Sequence, residues 1–142
     1  MQIPFSILKF DMGKILAIDY GRKRMGIALA DNDLKLAFAL NSITSPDLKK
    51  LFSLVLSKIE EIKPNQILVG YPLGLDQKPT QMSNEIDSFI SNLQNATAIE
   101  VVRWNEVGTS KIAMNNIRSS RNKSIDSEAA RIILQEYLDF NK

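Results

Sequence analysis

Three carboxylates, Asp19, Glu106 and Asp126, stand where an acid could do chemistry. They matter because this 142-residue chain contains no histidine and no cysteine. A disulfide, a thiol nucleophile, an imidazole base and a Cys/His zinc site are therefore excluded. Catalysis is left to carboxylates, Lys, Arg, Ser, Thr and Tyr, or to a metal held by oxygen ligands. Asp19 ends an apolar run and is followed closely by Gly21. A carboxylate there is either a buried functional acid or the turn-forming residue of a hairpin. Glu106 follows a second apolar run and precedes a helical segment. It would lie at the carboxyl end of a parallel strand, where ligands bind in open α/β sheets, or it would stabilise the positive end of the next helix. Asp126 falls in the first turn of the last helical segment, after Ser124 as a candidate N-cap, and charge–dipole contact is its alternative. Glu128, two residues on, lies about 200° round the helix and does not share that face. No two of the three acids have metal-motif spacing, so the site requires them to meet in space. Oxygen ligands few in number suit Mg²⁺ or Mn²⁺, with Asp19, Glu106 and Asp126 as the metal and catalytic set.

Two basic runs accompany the acids. Arg22, Lys23 and Arg24 sit beside Asp19, and Arg118, Arg121 and Lys123 fall in an acid-free stretch over residues 115–124. Such residues suit contacts to a phosphodiester backbone; the other reading is a solvated loop. The net charge of +2 does not by itself point to nucleic acid.

The elements that must position these residues follow from hydrophobic periodicity. Residues 14–20, 25–30 and 36–43 read as three strands joined by short turns, an antiparallel meander. Ser45-Pro46 reads as a helix start, with Ser as N-cap and Pro at the first helical position. Leu48, Leu51, Phe52, Val55, Ile59 and Ile62 continue at helical spacing until Pro64. Residues 66–70 form a short central strand, 71–78 a loop, and Met82, Ile86, Phe89, Ile90 and Leu93 mark a second amphipathic helix. Residues 99–104 are a fifth strand, and helical segments follow near 108–117 and 125–137. Strands joined through helices run parallel, so the expected architecture is α/β with a mixed five-stranded sheet, three antiparallel strands and then parallel strands, flanked by helices.

The length suits one domain, and 44% hydrophobic with 24% charged residues matches a soluble globular chain. Residues 1–142 are read as a single domain, with 1–13 an N-terminal extension or edge strand and not a signal peptide. No apolar run reaches the ~18 residues of a membrane span. Zero cysteine suits a cytoplasmic protein.

Three segments carry a family resemblance. IDYGRKRMGIALA at residues 18–30, LVGYPLGLD at 68–76 and KSIDSEAARIILQEYL at 123–138 resemble, in order, the motifs of the YqgF family, also called RuvX. These are bacterial proteins with an RNase H-like fold, described as pre-16S rRNA nucleases and earlier as Holliday junction resolvases. The resemblance runs from about residue 14 to 138. It implies that the family's three site acids correspond to Asp19, Glu106 and Asp126. It further implies Mg²⁺-dependent hydrolysis of phosphodiesters in 5′-end maturation of pre-16S rRNA, by a monomer or weak dimer, with residues 70–73 lining the site. The chain departs from the family's Asp-Glu-Arg segment, which reads Asn105-Glu106-Val107 here. Valine cannot make the charged phosphate contact of the usual arginine. Three other readings stay open: cleavage of branched DNA with the same chemistry, a non-catalytic RNA-binding relative, and an actin-like nucleotide-binding fold. The last rests on Asp19-Tyr20-Gly21-Arg22, which resembles the phosphate loop of sugar kinases, but the chain is short for two lobes.

Overall fold

The computed structural model describes residues 13–31, 33–72, 80–106 and 127–140. Eight elements follow one another: β1 (Lys14–Asp19), β2 (Arg24–Asp31), β3 (Leu36–Thr44), α1 (Leu48–Ile62), β4 (Gln66–Tyr71), α2 (Gln81–Ala96), β5 (Glu100–Asn105) and α3 (Glu128–Phe140). The strands form one sheet in the order β3-β2-β1-β4-β5. β1–β2 and β2–β3 are antiparallel, while β1–β4 and β4–β5 are parallel. This is the mixed five-stranded sheet that the hydrophobic pattern implies. The helix expected over 108–117 lies outside the described residues, as do residues 1–12.

Alternation along the strands decides which side chain meets which helix. Leu16 and Ile18 of β1, with Ile67 and Val69 of β4, pack beneath α1 and α2. Their partners in those helices are Leu51, Val55 and Ile59, and Ile86, Phe89 and Leu93, stripes at helical spacing. Ile15, Ala17 and Leu68 face the other way, toward Ala129, Ala130, Ile133, Leu134 and Leu138 of α3. Both faces of the central strands are thus covered, which explains why β1 and β4 read as continuous apolar runs. The α3 side is rich in alanine: Ala17, Ala28, Ala30 and Ala37. Small side chains let α3 approach the sheet closely, and each large apolar side chain buried there contributes about 1.5–3 kcal/mol.

The first helix begins later than its sequence signal. Asp47, not Ser45, is the N-cap, its carboxylate accepting from the Lys49 N–H at 3.0 Å. Ser45 is occupied elsewhere: its N–H donates to the Lys23 carbonyl at 3.0 Å, and its Oγ accepts from the Asp47 N–H at 3.3 Å. The helix ends at Lys63, in the left-handed region at φ 53°, before Pro64. Among the described residues, no helix is long and apolar enough to cross a membrane.

Candidate active site

The acid positions are set by the carboxyl ends of the parallel strands. Asp19 is the last residue of β1 and pairs with Gly26 of β2. Ile15 and Ala17 pack toward α3, so alternation brings Asp19, half-buried, to that same face. On β5, Val102 and Trp104 also face α3. Glu106 comes two residues after Trp104, and its N–H donates to the Tyr71 carbonyl at 3.2 Å, extending the ladder one step past the strand. Its side chain is buried, only 6% exposed. Continuing the Ile18–Val69–Arg103 register puts Asp19 level with Trp104, so Asp19 and Glu106 occupy one end and one face of the sheet, with β4 between them, two strand spacings across and two residues along, roughly 12 Å apart in backbone.

Gly70 is the β4 residue on that face between the acids. A Cβ built there would lie 2.5 Å from Cδ1 of Ile133. The absence of a side chain at residue 70 lets α3 press onto the sheet beside the acids. Tyr71 points to the opposite face, where its hydroxyl donates to Asp87 at 2.9 Å and Arg103 stacks 4.2 Å over its ring. Burial, then the bond to Asp87, holds the Tyr71 phenol above its usual value.

The start of α3 is fixed by Ser127. It is buried, and its Oγ accepts from the Ile27 N–H at 2.8 Å. That donor belongs to the β2 segment where the β2–β3 register shifts between Met25 and Ile27, so a side chain supplies the partner that an irregular ladder does not. Ile27 pairs with Ile18, the residue before Asp19. Ser127, just before α3, thus lies close to the carboxyl end of β1. Asp126 immediately precedes Ser127 in sequence and lies outside the described residues, as do Arg118, Arg121, Lys123 and Leu73. Among the described residues, no group of three or more acidic side chains could hold a metal ion.

The other basic run is described in full. Lys23 and Arg24 are exposed at the β1–β2 turn and the start of β2. Arg22 is engaged with Glu85 of α2, its Nε donating to both carboxylate oxygens at 3.0 Å and its terminal nitrogen making a third bond. The Tyr20 hydroxyl donates to the same carboxylate at 3.3 Å. Bonds from Arg22 lower the Glu85 pKa, and the same contact raises that of Arg22. Burial, with Glu85 adding to it, raises the Tyr20 phenol. Sequence patterning gave no sign of Glu85, because its partners lie more than sixty residues away.

The comparisons agree with this architecture. Residues 13–140 match the family described as "RuvX: Holliday junction resolvase". A Rickettsia rickettsii (strain Sheila Smith) protein named "Putative pre-16S rRNA nuclease" is 32% identical over 131 residues, covering 88% of this chain and 85% of its own. A Syntrophus aciditrophicus (strain SB) protein of the same name is 33% identical over 132 residues, covering 89% and 88%. Among solved structures, the fowlpox virus Holliday junction resolvase superposes with a TM-score of 0.58 at 16% identity, covering 89% of this chain and 99% of that one. T. thermophilus RuvC in complex with a Holliday junction substrate gives 0.58 at 16% identity, covering 90% and 95%. These two likenesses speak to the fold, which is RNase H-like as expected. With the sheet order, the acid-bearing strand ends and a match over nearly the whole length, the chain belongs to the RuvX family.

Proposed function

We propose that this chain is a divalent-metal-dependent nuclease that hydrolyses phosphodiesters, acting in the 5′-end maturation of pre-16S rRNA. The observation that carries the reading is the delivery of Asp19 and Glu106 to one end and one face of the sheet by parallel strands. The names of the bacterial relatives supply the substrate. The donor set fits a hard cation, being oxygen only, and Asp126 is the proposed third ligand beside Ser127. A Mg²⁺ or Mn²⁺ ion, when bound, supplies charge neutralisation at the phosphate and a lowered pKa for an attacking water.

The chain's own residues have separable tasks. Asp19 and Glu106 would hold the cation through their carboxylates, Glu106 from a buried position. Ser127, one residue after Asp126 in sequence, fixes where α3 begins. Lys23 and Arg24, exposed beside Asp19, bind backbone phosphates, joined by Arg118, Arg121 and Lys123. Arg22 is committed to Glu85 and contributes to this surface through its remaining donors. With Val107 where the resembled family pattern has arginine, these lysines and arginines carry more of the phosphate contact. The protein acts as a single domain in the cytoplasm, as a monomer or weak dimer.

The test is cleavage of precursor 16S rRNA by the purified protein with Mg²⁺, compared with its Asp19→Asn variant. This substitution keeps shape and removes charge. Turnover should fall by ~10²–10³-fold, the scale of one lost transition-state contact; unchanged turnover would show that the site is elsewhere. The family description favours a second reading, cleavage of four-way DNA junctions. Incubating both substrates with the same preparation decides between them. Salt-sensitive RNA binding without metal-dependent turnover would instead identify a non-catalytic relative.

A further inference from the structure

A cleft of about 510 Å³ opens on the face of the sheet opposite the acids. Its floor is Met25 and Phe89, both buried, and its walls include the half-buried rings of Tyr20 and Phe52. Tyr20 and Phe89 lie 5.1 Å apart between centroids, and Phe52 meets Phe89 edge-on at 6.0 Å. The rim is polar, with Ser88 and Asn92 from α2 and Lys49 from the first turn of α1. Tyr20 and Arg22 both donate to Glu85, which lines the cleft too.

The location joins this cleft to the acid site. Tyr20 follows Asp19 directly, and the two side chains leave β1 toward opposite faces of the sheet. A polynucleotide whose phosphate lies at Asp19 needs only a short stretch of backbone to pass over the tip of β1 and reach the rings. Tyr20 and Phe52 pack on the core with one side and stay partly exposed on the other, around a space with hydrogen-bonding groups at its edge. Aromatic walls accept the face of any base, and an amide and a hydroxyl can read its edge. Lys49 adds a cation for the adjoining phosphate.

We infer that the cleft between α1 and α2 receives one unpaired nucleobase of a single-stranded segment, close in sequence to the phosphate at Asp19. Phe52 and Tyr20 stack on the base, Asn92 and Ser88 bond to its edge, and Lys49 holds its phosphate. The inference rests on the nuclease reading, and its test separates the two.

The experiment uses the full chain carrying Asp19→Asn, so that RNA stays intact, with Mg²⁺ and single-stranded oligoribonucleotides bearing 2-aminopurine at successive positions. Stacking should quench emission at one position and leave the others unchanged. Adding Phe52→Leu should remove that quench and weaken binding about 5- to 150-fold, the range of one lost base–aromatic stack. Asn92→Ala, at the rim, should keep the fold and flatten the preference among bases at that position; this keeps the test open if Phe52→Leu fails to fold. Equal emission at every position, absence of RNA binding, or retained quench and affinity in Phe52→Leu would overturn the inference. Cleavage by the unmodified chain is measured in parallel. Turnover without a position-specific quench removes the cleft and leaves the nuclease, whereas quench without turnover does the reverse.

Discussion

Replacing Gly70 by alanine adds one carbon where α3 presses on β4. That carbon would sit 2.5 Å from Ile133 Cδ1, with Cγ1 and Cγ2 at 3.5 and 3.8 Å. Only the first contact is too close. Relieving it requires a shift of about 1 Å in a core that is close-packed, and such overpacking costs about 1–3 kcal/mol. The reduced freedom of the unfolded chain offsets about 0.4–1 kcal/mol. The net expectation is destabilisation by roughly 0.5–2 kcal/mol. Ile133→Val deletes the offending Cδ1 and alone costs about 0.5–1.5 kcal/mol. In that background the alanine makes ordinary van der Waals contact and should become neutral or stabilising, by up to ~1 kcal/mol. The sign of Gly70→Ala thus inverts between the two backgrounds. Urea titration of the four proteins reads this out through Trp104, the single tryptophan, which packs on Tyr137 and Phe140 of α3. With slopes of about 1–3 kcal/mol/M, a coupling near 2 kcal/mol separates the midpoints by about 1 M. Equal effects in both backgrounds, within the ~0.3–0.5 kcal/mol expected of independent sites, would refute the close approach.

Other outcomes follow from the same geometry. Ser127→Ala leaves the buried Ile27 N–H without its acceptor and should cost about 1–3 kcal/mol, seen as faster amide exchange at Ile27 and an earlier urea midpoint. Glu106→Gln should preserve the unfolding free energy from urea titration within about 1 kcal/mol while lowering cleavage by ~10²–10³-fold; equal turnover would remove Glu106 from the site. Arg22 lowers the Glu85 pKa from 4.5, so this pair stabilises the fold fully above the ordinary carboxylate value and ceases to do so as pH falls through the lowered one. Arg22→Gln should therefore reduce stability near neutrality and flatten that part of the acid-unfolding profile; an unaltered profile would show that the pair contributes nothing.

The sheet was legible because its strands are short apolar runs bounded by turns, and because the helices between them force parallel pairing. The acid ends of β1 and β5 were legible for the same reason, since strand direction fixes where the carboxyl ends lie. The start of α1 was misread because Ser45-Pro46-Asp47 offers two caps in succession. Only the tertiary bond from Ser45 N–H to Lys23, unseen in local sequence, selects Asp47. The aromatic cleft was invisible, as Tyr20, Phe52 and Phe89 come from three elements and each fits an ordinary core pattern. Arg22 read as a phosphate contact because its neighbours are basic, whereas its nearest partner, Glu85, is brought in by the fold.

The bond from Ser127 to Ile27 spans 100 residues of sequence. During synthesis, at about 5–20 residues per second, the β1–β3 meander waits on the order of 5–20 s for α3 to emerge. Its α3-facing surface is then uncovered, but it is built largely of alanines, which expose little apolar area to neighbouring chains. The proposed third acid arrives with the same segment that closes this surface. On the proposed assignment, a nascent chain emerging amid ribosomal RNA would hold an incomplete site until α3 has been made, and cutting would begin only as that helix docks.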